Sequence, residues 1–195
     1  FLLPSLLWVR EVEPENYRKI RYVILPKDYL KLMLTGAITS DFSDASATLA
    51  FDVKNGRWSG EILDKLGVSR DFLPVCYDTA TPIGNVTRWA ASVTGLAEGT
   101  IVVNGGGDQI MQAIGNGAVS PGMATVNIGS SGQVCFQCDK PIVNPRLNTN
   151  TFCGYGRGRW ITMGATMSAG LSLSWFNSLF ERTDYEELNT EIEKI

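Results

Sequence analysis

Apolar residues recur at helical spacing through "SLLWVREVEPENYRKI", residues 5–20, and Pro14 in its middle predicts the opening of a second helix. "LPKDYLKLMLTG" predicts a cleaner helix. Pro26 suits its first turn, Leu25, Leu30, Leu32 and Met33 supply an apolar side, and Gly36 suits the position just past its end. In "TSDFSDASATLAFDVKNGRWS" Ser43 is read as the cap of a short helix carrying Asp44 to Leu49. A strand and a turn with Asn55-Gly56 at its tip follow. "GEILDKLGV" predicts a short helix closed by Gly67, and residues 72–96 read as a linker, then a helix around Trp89 and Ala90. Ile101, Val102 and Val103 in a row, with turn residues after them, predict a buried strand. "QIMQAIGNGAVSPG" predicts a short helix and then a Gly/Pro-rich boundary near Ser120 to Gly122.

The pattern changes beyond that boundary. "MATVNIGSSGQVCFQC" predicts two strands joined by a tight Gly-Ser-Ser-Gly turn, and "RWITMG" a third. "ATMSAGLSLSWFNSLFER" predicts a helix with small residues on one side and Leu171, Trp175 and Leu179 on another. From Met123 to Arg182 the expectation is three antiparallel strands followed by a helix. The expected organisation is two parts, residues 1–120 and 121–195, with no internal repeat and no low-complexity segment.

Composition changes this picture little. The 195 residues are 44% hydrophobic and 19% charged, ordinary for a globular protein with a sizeable core. A net charge of -3 with no basic cluster argues against nucleic acid or an anionic membrane surface as a partner. No apolar run is long enough to span a bilayer, and no signal peptide is visible. The four cysteines are Cys76, Cys135, Cys138 and Cys153, and the chain has no histidine. The single C-x-x-C pair therefore does not make a zinc site, and strand alternation sends its two thiols to opposite faces. Reduced, unpaired thiols and a cytoplasmic setting are expected. The lack of histidine excludes a His-dependent triad within these residues. The chain starts at Phe1 and stops in helical text, and it reads like a piece of a longer protein.

Three stretches carry candidate chemistry. In "VVNGGGDQ" Asp108 follows a strand closely and opens a helix, the place where open α/β sheets put ligands. A helix cap and a catalytic base are both compatible with it, and a helix N-terminus stabilises an ionised carboxylate in either role. In "GSSG" the glycines permit positive φ and close backbone approach, so Ser130 and Ser131 can cradle a phosphate or simply close a hairpin. It is not a Walker A loop, because the Gly-Lys-Ser/Thr ending is absent. "SDASAT", Ser43 to Thr48, is either a capped helical turn or a polar wall of a sugar site. Trp8, Trp58, Trp89, Trp160 and Trp175 are scattered and read as core.

At these residues the sequence resembles the FGGY carbohydrate kinases, and most closely the xylulose kinases among them. The matching text is "LLWVREVEPENY", "VILPKDYLKLMLTG", "SDFSDASATLAFDVKNGRWS", "VVNGGGDQIMQAIGNG", "VSPGMATVNIGSSGQV" and "TMGATMSAGLSLSWF", in family order across nearly the whole chain. The resemblance implies an α/β, actin-like ATPase (ribonuclease H-like) fold in parts of two domains. Residues 1–120 would be the C-terminal portion of the sugar-binding domain, and residues 121–195 the N-terminal portion of the ATP-binding domain. It implies a kinase that phosphorylates a sugar hydroxyl, D-xylulose foremost, with ATP and Mg²⁺. Ribulose, glycerol or gluconate as substrate, or an inactive scaffold fragment, are the alternatives. Asp108 would be the general base, Asp108 and Gln109 would meet the sugar, and Gly129, Ser130, Ser131 and Gly132 would meet the phosphates. No residue is implied as a metal ligand, and a homodimer is compatible with the resemblance. The family's upstream Asp-Gly-Thr phosphate loop and its downstream adenine site are not in this chain. Ser5 stands where the family usually has Lys, Ser130 where it has Thr, and "NTFCGYGRGRW" lacks the His often beside its Cys.

Overall fold

The structure is a computed structural model that describes residues 1–146, 148–179 and 185–194. Helices α1 (Leu2–Val12) and α2 (Pro14–Tyr17) break at Pro14, as the sequence predicts. Helix α3 (Pro26–Thr35) starts on Pro26 and stops at Gly36, whose φ of 78° is the left-handed turn-off of a helix end. Its buried face is not the expected apolar one. Leu30 is 60% exposed, whereas Asp28 and Lys31 are buried. Strand β1 (Thr39–Asp41) then leads into α4 (Phe42–Ser46).

The cap of α4 is Asp41, not Ser43: its Oδ2 accepts the N–H groups of Ser43 at 2.8 Å and Asp44 at 3.3 Å. The helix ends at Ser46, and Leu49 beyond it has φ 66°. Strands β2 (Phe51–Asp52) and β3 (Arg57–Trp58) make the expected hairpin around Asn55-Gly56, and α5 (Gly60–Leu66) is capped by Ser59 and closed by Gly67. The stretch read as a linker holds a 3₁₀ turn (Arg70–Phe72) and two strands, β4 (Val75–Tyr77) and β5 (Pro82–Asn85), before α6 (Arg88–Thr94). Strand β4 pairs in parallel with β1, and β5 pairs antiparallel with β6 (Ile101–Val103). Among the described residues β6 has one neighbour strand. Ile101 and Val103 are accordingly 66% and 50% exposed, not buried as expected.

Helix α7 (Asp108–Gly115) is followed by a four-stranded antiparallel sheet in the order β7 (Ala124–Ile128), β8 (Gly132–Cys138), β10 (Trp160–Thr166), β9 (Asn150–Cys153). The expected sheet had three strands; β9 lies in the excursion between the second and the last. Helix α8 (Gly170–Leu179) begins later than expected because Ala165 and Thr166 remain in β10. Leu171, Trp175 and Leu179 on α8 are more than half exposed. Helix α9 (Tyr185–Ile192) ends the described chain, and Arg182 lies outside the described residues.

Among the described residues two clusters form the core. Leu3, Leu6, Phe51, Trp58, Leu63 and Cys153 are among the residues of the first, where the Phe51 and Trp58 rings meet edge to face at 5.2 Å. In the second, Ile110 and Ala113 of α7 pack on Cys135 and Ile161 of the sheet. Of the five tryptophans read as core, Trp58 is buried and Trp160 half-buried, whereas Trp8, Trp89 and Trp175 are 54–63% exposed. All four thiols are unpaired.

Candidate active site

Asp108 is the first residue of α7, directly after the glycine arm Gly105–Gly107. The cap position belongs to Gly107, which makes no side-chain cap bond, so Asp108 does not cap its helix. Its side chain is exposed, and Oδ1 accepts the N–H of Gln109 at 2.7 Å. Gln109 is half-buried beside it.

The arm is flexible by composition but tied at both ends. Asn104 before it is fully buried and its amide is saturated. Nδ2 donates to the carbonyls of Ser40 at 2.8 Å and Tyr77 at 3.1 Å. Oδ1 accepts from Lys31 Nζ at 2.5 Å and Thr39 Oγ1 at 3.0 Å. At the other end the N–H of Gly107 donates to Ser43 Oγ at 2.9 Å. The Ser43 hydroxyl in turn donates to Asp41 Oδ2 in a short contact.

A line of buried and half-buried charges joins the two ties. Lys31 Nζ lies 3.1 Å from Asp28 Oδ1, Lys27 Nζ lies 2.7 Å from the same oxygen, and Lys27 Nζ lies 2.9 Å from Asp41 Oδ1. Asp44 Oδ2 stands 3.7 Å from Lys27. The path Asn104–Lys31–Asp28–Lys27–Asp41–Ser43–Gly107 therefore runs from one end of the glycine arm to the other. Buried ion pairs add little net stability, because desolvation offsets their attraction. Their effect here is geometric: each removes a way for the arm to move.

Two glycines of the arm are required by this packing. Gly105 has φ 73°. A Cβ on Gly106 would fall 2.8 Å from Thr79 Cγ2, 2.9 Å from Met111 Cε and 3.0 Å from Ser43 Oγ. The site charges respond to one another. Burial works against the Lys27 ammonium, but Asp41 and Asp28 outweigh it and hold its pKa above the ordinary lysine value. Burial lowers Lys31, with the Lys27 charge adding to it and Asp28 opposing. Burial, then the Asp41 carboxylate, raises Asp44, against the pull of Lys27. Nearby, burial pushes the Cys76 thiol up to about 12, which removes it as a nucleophile.

The Gly129–Gly132 turn joins β7 and β8, and Ser130 and Ser131 are exposed at its tip. Neither flanking glycine has positive φ, contrary to expectation; Gly132 is instead tight against Thr166 and Ala169, where a Cβ would meet atoms at 3.0 and 3.1 Å. The turn's carbonyls are held by the start of α8: Ala169 N–H donates to Ser130 O at 2.8 Å and Gly170 N–H to Gly129 O at 2.9 Å. Among the described residues the Ser130 and Ser131 hydroxyls have no hydrogen-bond partner. No hydrogen bond or ion pair among the described residues links this turn to Asp108. The two features share a platform, since α7 lies on the sheet that ends in the turn.

The lysine–aspartate line lies outside the three stretches given candidate chemistry by sequence alone, apart from Ser43 and Asp44 in "SDASAT" and its two ends, Asn104 and Gly107, in "VVNGGGDQ". Its one sequence signal is Lys27, Asp28 and Lys31 on a single helical face, a pattern usually read as solvated.

Comparison with known proteins bears on this arrangement. The family profile described as "FGGY family of carbohydrate kinases, N-terminal domain" matches residues 1–115. The xylulose kinase of Bacillus subtilis (strain 168) is 35% identical over 196 residues, covering 100% of this chain and 39% of its own length. That of Escherichia coli (strain K12) is 37% identical over 175 residues, covering 90% of this chain and 36% of its own length. The crystal structure of a xyloylose kinase from Brucella ovis superposes with a TM-score of 0.87 at 34% identity, over 94% of this chain and 38% of that one. The chain thus spans under two-fifths of the length of these relatives. With the family profile matched over more than half of its residues, the chain belongs to the FGGY family of carbohydrate kinases and has their actin-like ATPase fold.

Proposed function

We propose that the protein in its full length transfers the γ-phosphoryl group of ATP to a hydroxyl of D-xylulose, giving D-xylulose 5-phosphate. Asp108 is the general base in this reading. The observation that carries it is the glycine arm tied at both ends, which presents a carboxylate that neither caps its helix nor joins an ion pair among the described residues. Likeness to relatives named xylulose kinases favours xylulose over other sugars.

Phosphoryl transfer asks the protein mainly for positioning and charge stabilisation. Asp108 accepts the proton of the attacking hydroxyl as its oxygen bonds to phosphorus and ADP departs. Gln109, half-buried at the same helix start, orients the sugar. The open hydroxyls of Ser130 and Ser131, with the backbone from Gly129 to Gly132, meet the phosphates. Among the described residues no three His, Cys, Asp or Glu side chains converge to hold a metal; Mg²⁺ would come with the nucleotide phosphates and supply charge neutralisation there. The division into a sugar-binding part, residues 1–120, and the start of an ATP-binding part, residues 121–195, belongs to the same proposal. It is supported by the change from short ribbons to one antiparallel sheet at Ala124.

The test is an ADP-release assay on the full-length protein across sugars. D-Xylulose is expected to give the highest kcat/KM. A higher value on ribulose, glycerol or gluconate would reassign the substrate, and no turnover on any would end the kinase reading.

A further inference from the structure

A cavity that includes no residue of the glycine arm lies between the β2–β3 hairpin and the loop joining β9 to β10. Its volume is about 280 Å³. Lys54 and Asn55 line it from the hairpin, Arg157, Arg159 and Trp160 from the loop and strand, and Phe42 from α4. Among the described residues three cations and no carboxylate line the cavity, in a chain whose net charge is -3. None of the three forms an ion pair among the described residues. The closest carboxylate in sequence, Asp52, is occupied: it accepts from Asn55 at 2.6 Å and lies 3.8 Å from Arg57.

The walls of this cavity are fixed more firmly than its exposed charges suggest. Trp160 Nε1 donates to Val53 O at 3.0 Å, and Cys153 N–H donates to Ser46 Oγ at 3.0 Å. These bonds hold the two strands of the loop against the hairpin and α4, so the cations on either side face a set gap. Unpaired arginines in a fixed gap suit a phosphate, whose oxygens accept their planar N–H pairs. The half-buried Trp160 and Phe42 rings offer an apolar face, of the kind that packs against the C–H face of a sugar. The volume is at the small end for ligand pockets, room for a metabolite rather than a nucleotide triphosphate.

We propose that this cavity binds a small phosphate monoester of sugar size, which bridges the hairpin and the β9–β10 loop. The proposal stands apart from the role given to Asp108.

The test is titration calorimetry on the full-length protein with two probes, inorganic phosphate and a pentose 5-phosphate, at fixed ionic strength. The comparison variant is Lys54→Ala/Arg157→Ala/Arg159→Ala, all exposed positions outside the proposed machinery. The wild type is expected to bind the pentose phosphate about tenfold or more tighter than the triple variant does, the scale of losing one or two charge-assisted hydrogen bonds. It is also expected to bind the pentose phosphate more tightly than inorganic phosphate. D-Xylulose is held at saturation in every titration, so that product binding beside Asp108 does not contribute to the difference between wild type and variant. Equal affinities of wild type and variant would overturn the site, and equal affinities of the two probes would overturn a sugar ester as its occupant. Lys54→Glu, a single change on a hairpin tip, is expected to weaken binding in the same direction if the triple variant folds poorly.

Discussion

Lys27→Met removes the cation on which the buried line converges. Lys27 faces Asp28 at 2.7 Å, Asp41 at 2.9 Å and Asp44 at 3.7 Å. Asp28 keeps a partner in the variant, because Lys31 stands 3.1 Å away. Asp41, fully buried, keeps the Ser43 and Asp44 N–H groups and the Ser43 hydroxyl but has no cation. Removing one partner of a buried pair costs about 3–5 kcal/mol. The three retained hydrogen bonds, and the 23% exposure of the Lys27 side chain, put this case at the low end, about 3 kcal/mol. Urea unfolding of the full-length protein at pH 7, followed by tryptophan fluorescence, reads that loss. It also has a pH signature. Asp44 is already raised by burial and by Asp41, and Lys27 is the charge that pulls it back. Without Lys27 its folded-state value rises further above the unfolded one. A group raised in this way leaves stability intact below the unfolded carboxylate pKa, about 3.9, and removes it as pH climbs through the folded value. The variant's deficit is therefore expected to be larger at neutral pH than near the unfolded carboxylate value, about pH 4. A loss under about 1 kcal/mol, or a deficit that shrinks as pH rises, would refute a buried, coupled charge line.

Gly106→Ala puts a Cβ within 3.0 Å of Thr79, Met111 and Ser43. The Met111 end can turn away, but Thr79 is buried, so the arm must shift; an overpacking cost of about 2 kcal/mol and a fall in kcat are expected from unfolding and turnover measurements. In the Gly129–Gly132 turn, Ser130→Ala with Ser131→Ala removes two exposed hydroxyls with no partner among the described residues, so the melting temperature is expected to hold. Turnover is expected to fall by an amount equivalent to ~3 kcal/mol of transition-state stabilisation, and unchanged kcat would leave the stretch a hairpin turn alone.

Local chemistry made much of this fold legible. Pro26 and Gly36 bound α3, Gly67 closes α5, and Asn55-Gly56 turns the β2–β3 hairpin, each through constraints contained within a few residues. What escaped depends on distant partners. Strand β4 has three residues and pairs in parallel with β1 some 36 positions earlier, so no turn announces it. Ser43 looked like the cap of α4 because serine caps well. Asp41 holds that place because Lys27, from another helix, neutralises it there. The charged face of α3 was hidden for the same reason. Lys27, Asp28 and Lys31 look solvated until Asp41 and Asn104, the latter 73 residues from Lys31, close over them. Asp108 itself was legible as a strand-to-helix carboxylate, but not the ties that hold its arm.

Asp108→Asn tests the central claim most directly. The substitution keeps size and keeps an oxygen for the Gln109 N–H, now accepted at 2.7 Å. Asp108 does not cap α7, so the change costs the helix only the favourable charge near its N-terminus, about 0.3–1 kcal/mol. In the full-length protein the melting temperature is expected to fall by no more than about 4 °C and sugar binding to hold, while kcat falls ~10²-fold or more, because the proton acceptor is gone. An Asn variant that folds, binds the sugar and turns over at the wild-type rate would contradict the assignment of Asp108 as the base.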